Sequence, residues 1–82
     1  MTRDLWGVPK NHHGPVLVWK DEGPSGPVWL YESREVFDTY FGKGKPFGAP
    51  DPPGVQHDAD RWMTRAAARR EAKARGAAFI SV

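Results

Sequence analysis

Two short runs, Val16 to Trp19 (VLVW) and Val28 to Tyr31 (VWLY), constrain the fold more than anything else in the chain. Both are β-branched and aromatic, the composition of strands. Between them, KDEGPSGP holds two prolines and two glycines, which predicts a turn and an antiparallel hairpin. Side chains alternate along a strand, so Val16 and Val18 take one face and Leu17 and Trp19 the other. Val28 and Leu30 separate from Trp29 and Tyr31 in the same way. A register pairing Trp19 with Trp29 and Leu17 with Tyr31 is compatible with the loop length. It makes one face aliphatic and the other mainly aromatic. Both faces are apolar, so each must be covered or act as a contact surface.

The remaining elements supply the cover. Ser33 is placed to cap a short helix over REVFDTYF, whose stripe is Val36, Phe37, Tyr40 and Phe41, with Gly42 as the residue that ends it. The stretch Gly42 to His57 has four prolines and no period and reads as a loop, with Phe47 available to anchor it. Asp58 to Gly76 (DADRWMTRAAARREAKARG) has helical periodicity, which predicts one long helix with Asp58 or Asp60 as N-cap and Gly76 as C′. Trp62, Met63, Ala66 and Ala67 form its apolar side. Arg70 and Lys73 drift into that same sector, so burial should thin out along the last turns. Ala77 to Val82 (AAFISV) closes the chain as a third strand. Residues 1–15, punctuated by Gly7, Pro9, Gly14 and Pro15, read as an extended arm whose apolar patch is Leu5, Trp6 and Val8. The expected class is α+β: a small two-layer domain in the order β-β-α-α-β, with both helices packed on one face of the sheet.

At 82 residues the chain makes one domain, and so small a core depends on its ten aromatic side chains. The absence of cysteine excludes disulfides and thiolate metal sites and points to a reducing cytoplasm. The first residues lack the apolar run of a signal peptide, and no stretch is long and apolar enough to span a membrane. The weight of Arg, Ala, Gly and Pro fits a GC-rich genome, hence a bacterium or its phage. The net charge of +2 hides an asymmetry. Residues 1–57 carry six bases and seven acids, whereas residues 58–82 carry six bases and three acids.

That asymmetry supplies the leading functional expectation. On the expected helix, Arg61, Arg65 and Arg69 recur every four residues as one stripe, and between Arg61 and Arg75 the only acid is Glu71. Such a stripe suits backbone phosphates, with Arg70, Lys73 and Arg75 adding to the field. A solvated helix face is the competing reading, since arginine is a good helix former. Trp19 and Trp29, with Tyr31, would supply an aromatic platform of the kind that stacks single-stranded nucleic acid, or else form the core. Lys43 and Lys45 lie in GKGK, which follows a helix and precedes Pro46. It therefore lacks the strand–loop–helix context of a phosphate-binding loop but leaves two loose phosphate contacts. The Pro50-to-Pro53 spacing has no base beside it to orient it in a peptide groove and reads as a stiff linker.

His12, His13 and His57 have no ligand spacing, and neighbouring His12 and His13 cannot project together from a strand, so no metal or other cofactor is expected. No serine has a base near it in sequence, and Asp21 and Glu22 sit in a turn, which argues against an enzyme. A non-enzymatic binding module for nucleic acid or another polyanion is therefore expected, with an acidic protein surface as an equivalent partner. The alternative is a protein-binding adaptor or inhibitor of phage or mobile-element type that uses exposed aromatic and arginine residues.

Overall fold

The computed structural model describes residues 8–41 and 54–82, with the backbone alone for residues 56–61. Its elements are β1 (Val16–Trp19), β2 (Gly26–Tyr31), α1 (Arg34–Tyr40), β3 (Val55–Met63), α2 (Arg65–Ala74) and β4 (Ala78–Ser81). The strands form one mixed sheet in the order β3-β2-β1-β4. The chain is a small α+β domain, and its hairpin, short helix, basic helix and final strand follow one another as the sequence suggests.

The hairpin pairs one residue away from the expected register. Trp19 stands opposite Val28, Leu17 opposite Leu30, and Val16 opposite Tyr31. A one-residue slip moves a whole strand's side chains to the other face. Each face therefore combines aliphatic residues of one strand with aromatic residues of the other. Val16, Val18, Trp29 and Tyr31 share one face, and Leu17, Trp19, Val28 and Leu30 share the other. The cause lies in the turn. A Cβ at Gly26 would collide with the Lys20 carbonyl oxygen, and the Lys20 N–H donates to the Pro27 carbonyl at 3.1 Å. This close approach starts β2 at Gly26 and sets which residue faces Trp19.

Beyond α1 the chain departs from the expected long helix over residues 58–76. Residues 55–63 form β3, antiparallel to β2, and α2 begins only at Arg65. Thr64 is the true N-cap: its backbone is extended and its hydroxyl accepts from the Ala67 N–H at 3.2 Å. Pairing with the outer edge of β2 satisfies a row of backbone groups that a helix starting at Asp58 would leave open. The late start also resolves the drift of basic residues into the apolar sector. The buried stripe of α2 is Ala68 and Ala72, which leaves Arg65, Arg69, Arg70 and Lys73 exposed. Trp62 and Ala66, expected on the apolar side, are exposed as well. The C-terminal end is as the sequence predicts. Gly76 has a φ of +65°, its N–H donates to the Lys73 carbonyl, and the Ala77 N–H reaches the Ala72 carbonyl at 2.8 Å, a Schellman cap.

β3 and β1 are both antiparallel to β2, and β4 is parallel to β1, so β3 and β4 run in the same direction at the two edges. Joining them requires a crossover over one face of the sheet, which α2 provides. α1 leaves from β2 and covers the opposite face. The two apolar clusters of the domain are thus built around different helices, α1 with Phe37 and Phe41 and α2 with Ala68 and Ala72. Under α1, Phe37 meets Tyr31 edge-to-face with ring centroids 5.7 Å apart and stacks on Phe41 at 5.1 Å. Val8, from the arm, and Ile80 complete this cluster. Under α2, Leu17 and Trp19 meet Ala68 and Ala72, and Met63 and Phe79 flank them. Alanine brings the helix axis close to the sheet. The Trp19 Nε1 donates to the Met63 carbonyl at 2.8 Å, tying β1 to the point where β3 hands over to α2. The described helices are not long and apolar enough to cross a membrane. The expected C′ role of Gly42, the anchoring by Phe47, and the patch at Leu5 and Trp6 lie outside the described residues.

Candidate functional site

α2 gathers the positive charge. Relative to its buried stripe, successive four-residue steps advance about 40° around the axis and about 6 Å along it. Arg65, Arg69 and Lys73 therefore wind up one flank of the helix, from the edge of its sheet contact towards solvent. Arg70 points away from the sheet. The flank faces β4, where the guanidinium carbons of Arg65 and Arg69 lie 5.9 Å and 5.6 Å from the centroid of the Phe79 ring. Phe79 is half-buried, so its ring packs against the sheet and still offers a surface to the two cations.

Among the other described cations, Arg34, Arg75 and Lys20 have carboxylate partners, whereas Lys10 has none among the described residues. Arg34 bonds Asp38 at 3.1 Å and also the Pro9 carbonyl at 2.9 Å. Arg75 bonds Glu71 at 2.8 Å on the far side of α2, and Lys20 pairs with Glu22. Among the described residues no such pair involves Arg65, Arg69, Arg70 or Lys73. The first turn of α2 contains no acid, so Arg65 adds its charge to the positive end of the helix dipole rather than offsetting it.

The expected site residues are only partly brought together. Arg65, Arg69, Arg70 and Lys73 share α2. Arg61 lies on β3, so the stripe of three helical arginines is reduced to two, and the side chain of Arg61 falls outside the described set, as do Lys43 and Lys45. Trp19 and Trp29 offer no aromatic platform. They are 3% and 6% exposed and lie on opposite faces of the sheet, each beneath a helix. Phe79 was not anticipated. Its partial exposure depends on β4 being an edge strand, which the pattern AAFISV does not reveal. Trp62, 51% exposed, was expected in the core.

The remaining features are structural. The His12 Nε2 lies 2.7 Å from the Pro15 carbonyl, and His13 lies 3.5 Å from Glu35 at the start of α1. Among the described residues no group of three or more histidine or carboxylate side chains comes together as a metal site. A hydrogen bond from its own backbone N–H holds the Glu35 carboxyl below its usual range. Slight desolvation opposes this, and the Ser33 hydroxyl and His13 reinforce it. A cleft of about 340 Å³ is lined, among the described residues, by Leu30, Glu32, Gly54 and Val55, which offer a single carboxylate and no base or nucleophile. No family model, curated protein or solved structure matches the chain.

Proposed function

We propose that the domain is a non-enzymatic binding module that takes nucleic acid on the exposed flank of α2. One observation carries this reading: Arg65, Arg69, Arg70 and Lys73 stand exposed without carboxylate partners among the described residues, while Arg34, Arg75 and Lys20 are paired. Unpaired guanidinium groups are strong, fork-shaped donors to phosphate. The winding of Arg65, Arg69 and Lys73 suits a backbone that passes obliquely over the helix. With no base pocket among the described residues, the binding proposed is mainly electrostatic and tolerant of sequence.

Anisotropy titrations of duplex and single-stranded DNA and RNA at two salt concentrations test the proposal. Each phosphate contact contributes about 0.9 to the logarithmic salt slope for duplex and about 0.7 for single strands. Arg65→Glu with Arg69→Glu should lower the slope by about one to two units and weaken binding at every salt concentration. No binding at low salt, or binding untouched by the double reversal, refutes it. A second reading, a protein-binding adaptor, draws on Trp62, whose half-exposed indole is the kind of side chain that anchors interfaces. A protein partner retained after nuclease treatment and lost in Trp62→Ala would favour it.

A further inference from the structure

We propose that the outer edge of β4, unpaired among the described residues, docks an extended acidic peptide segment, which joins the sheet as a fifth strand while Arg65 and Arg69 take its carboxylates. Among the described residues the edge is unpaired in a defined way. The Ala78 N–H donates to the Pro15 carbonyl at 2.9 Å and the Val82 N–H to the Trp19 carbonyl at 3.0 Å. Residues 78, 80 and 82 therefore turn their backbone groups towards β1. Alternation leaves the N–H and C=O groups of Phe79 and Ser81 pointing away from the sheet. Among the described residues the sheet ends at β4 and nothing pairs with these groups. Ser81 is exposed and Phe79 half-exposed, so the row is accessible.

Charge selects the occupant. An added strand would run about 4.8 Å beyond β4, with alternate side chains beside Phe79 on the α2 face. The Arg65 and Arg69 guanidinium groups already sit over that ring, within side-chain reach of the new strand. Carboxylates at alternate positions complement them, and basic or apolar residues do not. A second copy pairing antiparallel to its own β4 would bring both copies' Arg65 and Arg69 onto one face of the joined sheet. Like charge then opposes self-pairing, one of the ways in which edge strands avoid association. The proposal uses the same arginines as the nucleic-acid reading but does not depend on it, since it adds a backbone ladder that phosphate contact lacks.

The test uses the full chain and a blocked eight-residue peptide alternating glutamate and valine, with the glutamine version as control. Amide-shift titration should move Phe79 and Ser81 most and slow their hydrogen exchange, and the glutamine peptide should bind at least tenfold more weakly. Ser81→Pro removes one outward donor without touching a bond to β1, as proline is tolerated on an edge. It should weaken the acidic peptide roughly three- to tenfold and leave nucleic-acid affinity unchanged. Charge reversal at Arg65 and Arg69 should weaken both ligands. Should Ser81→Pro fold poorly, the exchange rates of Phe79 and Ser81 in the unaltered protein decide the matter. Shifts confined to α2 side chains, equal affinity for both peptides, or self-association of the protein through this edge would overturn the proposal. Loss of nucleic-acid binding alone would not.

Discussion

Replacing Trp19 with phenylalanine tests the placement of the core. Trp19 is 3% exposed, lies under Ala68 and Ala72, and donates from Nε1 to the Met63 carbonyl at 2.8 Å. The smaller ring buries roughly 50 Å² less surface, worth about 1 kcal/mol at 25 cal/mol per Å². It leaves a void of roughly 40 Å³, worth about another 1 kcal/mol where the site cannot collapse. The Met63 carbonyl loses its donor; Met63 is half-buried, so water reaches that region and the cost is about 1 kcal/mol, at the low end for an orphaned acceptor. The expected loss is about 3 kcal/mol against a typical total of roughly 5–15 kcal/mol. That lowers Tm by about 12–24 °C for a domain of this size. Trp62→Phe, at a side chain 51% exposed, should stay within about 0.5 kcal/mol. Urea unfolding followed by far-UV circular dichroism avoids the overlapping fluorescence of four tryptophans, and the m-value should not change. A loss below about 1 kcal/mol at Trp19, or equal losses at the two positions, would mean that Trp19 is not seated beneath α2.

Two other perturbations probe the turn and the first helix. Gly26→Ala drives a Cβ into the Lys20 backbone carbonyl, which cannot move without breaking the hairpin closure. Gly23→Ala, at a φ of +126° with open space around it, meets only conformational strain of about 1–2 kcal/mol. The first should therefore cost clearly more in urea unfolding, and equal costs would show that the turn relaxes freely. At Glu35 the folded-state pKa lies below the ordinary value, so its contribution to stability is present above the unfolded-state pKa and fades as pH falls through the folded one. Glu35→Gln should lower the unfolding midpoint near neutrality, and the gap should close as pH falls through the lowered folded-state pKa. A gap independent of pH would refute this origin.

The parts of the fold that local chemistry determines are legible from the residues. β1 and β2 announce themselves by β-branched and aromatic runs, α1 by Ser33 and its stripe, and the end of α2 by Gly76. What escaped depends on distant partners. The segment before Thr64 contains alanine and arginine, good helix formers, and little alternation of its own. Pairing with β2 overrides that propensity. A clue was present in Arg70 and Lys73, whose drift into the apolar sector of a helix begun at Asp58 signalled a wrong starting point. Thr64, four residues before Ala68, was the cap to look for. The hairpin register turned on a backbone approach at Gly26 that no periodicity encodes. The separation of Trp19 and Trp29 onto opposite faces followed from it, and with it the loss of the aromatic platform. At the site, the exposure of Arg65 and Arg69 was foreseeable as charge on a helix, but the role of Phe79 required knowing which strand ends the sheet.

α2 is held by small contributions that its own charges oppose, and this links its stability to the proposed binding. Its core contact is two alanines, which bury little area, so the Thr64 cap and the Schellman closure at Gly76 carry much of its definition. Each is worth roughly 1 kcal/mol or less. The Glu71–Arg75 pair adds a few tenths, about 0.3–0.5 kcal/mol, in the favoured acid-before-base order. Against these stand the like-charge spacings Arg65–Arg69 and Arg69–Lys73, each unfavourable by about 0.2–0.5 kcal/mol, and a cation at the positive end of the dipole. Contact with Phe79 returns about 0.5–1 kcal/mol per guanidinium at most at so exposed a place. A sequence optimised for the helix alone would place an acid in the first turn and alternate signs along the flank. This helix does neither. The arrangement is electrostatically incomplete, and an anion laid along Arg65, Arg69 and Lys73 would remove the repulsion and satisfy the helix end together, so any ligand with that charge pattern must also stabilise α2.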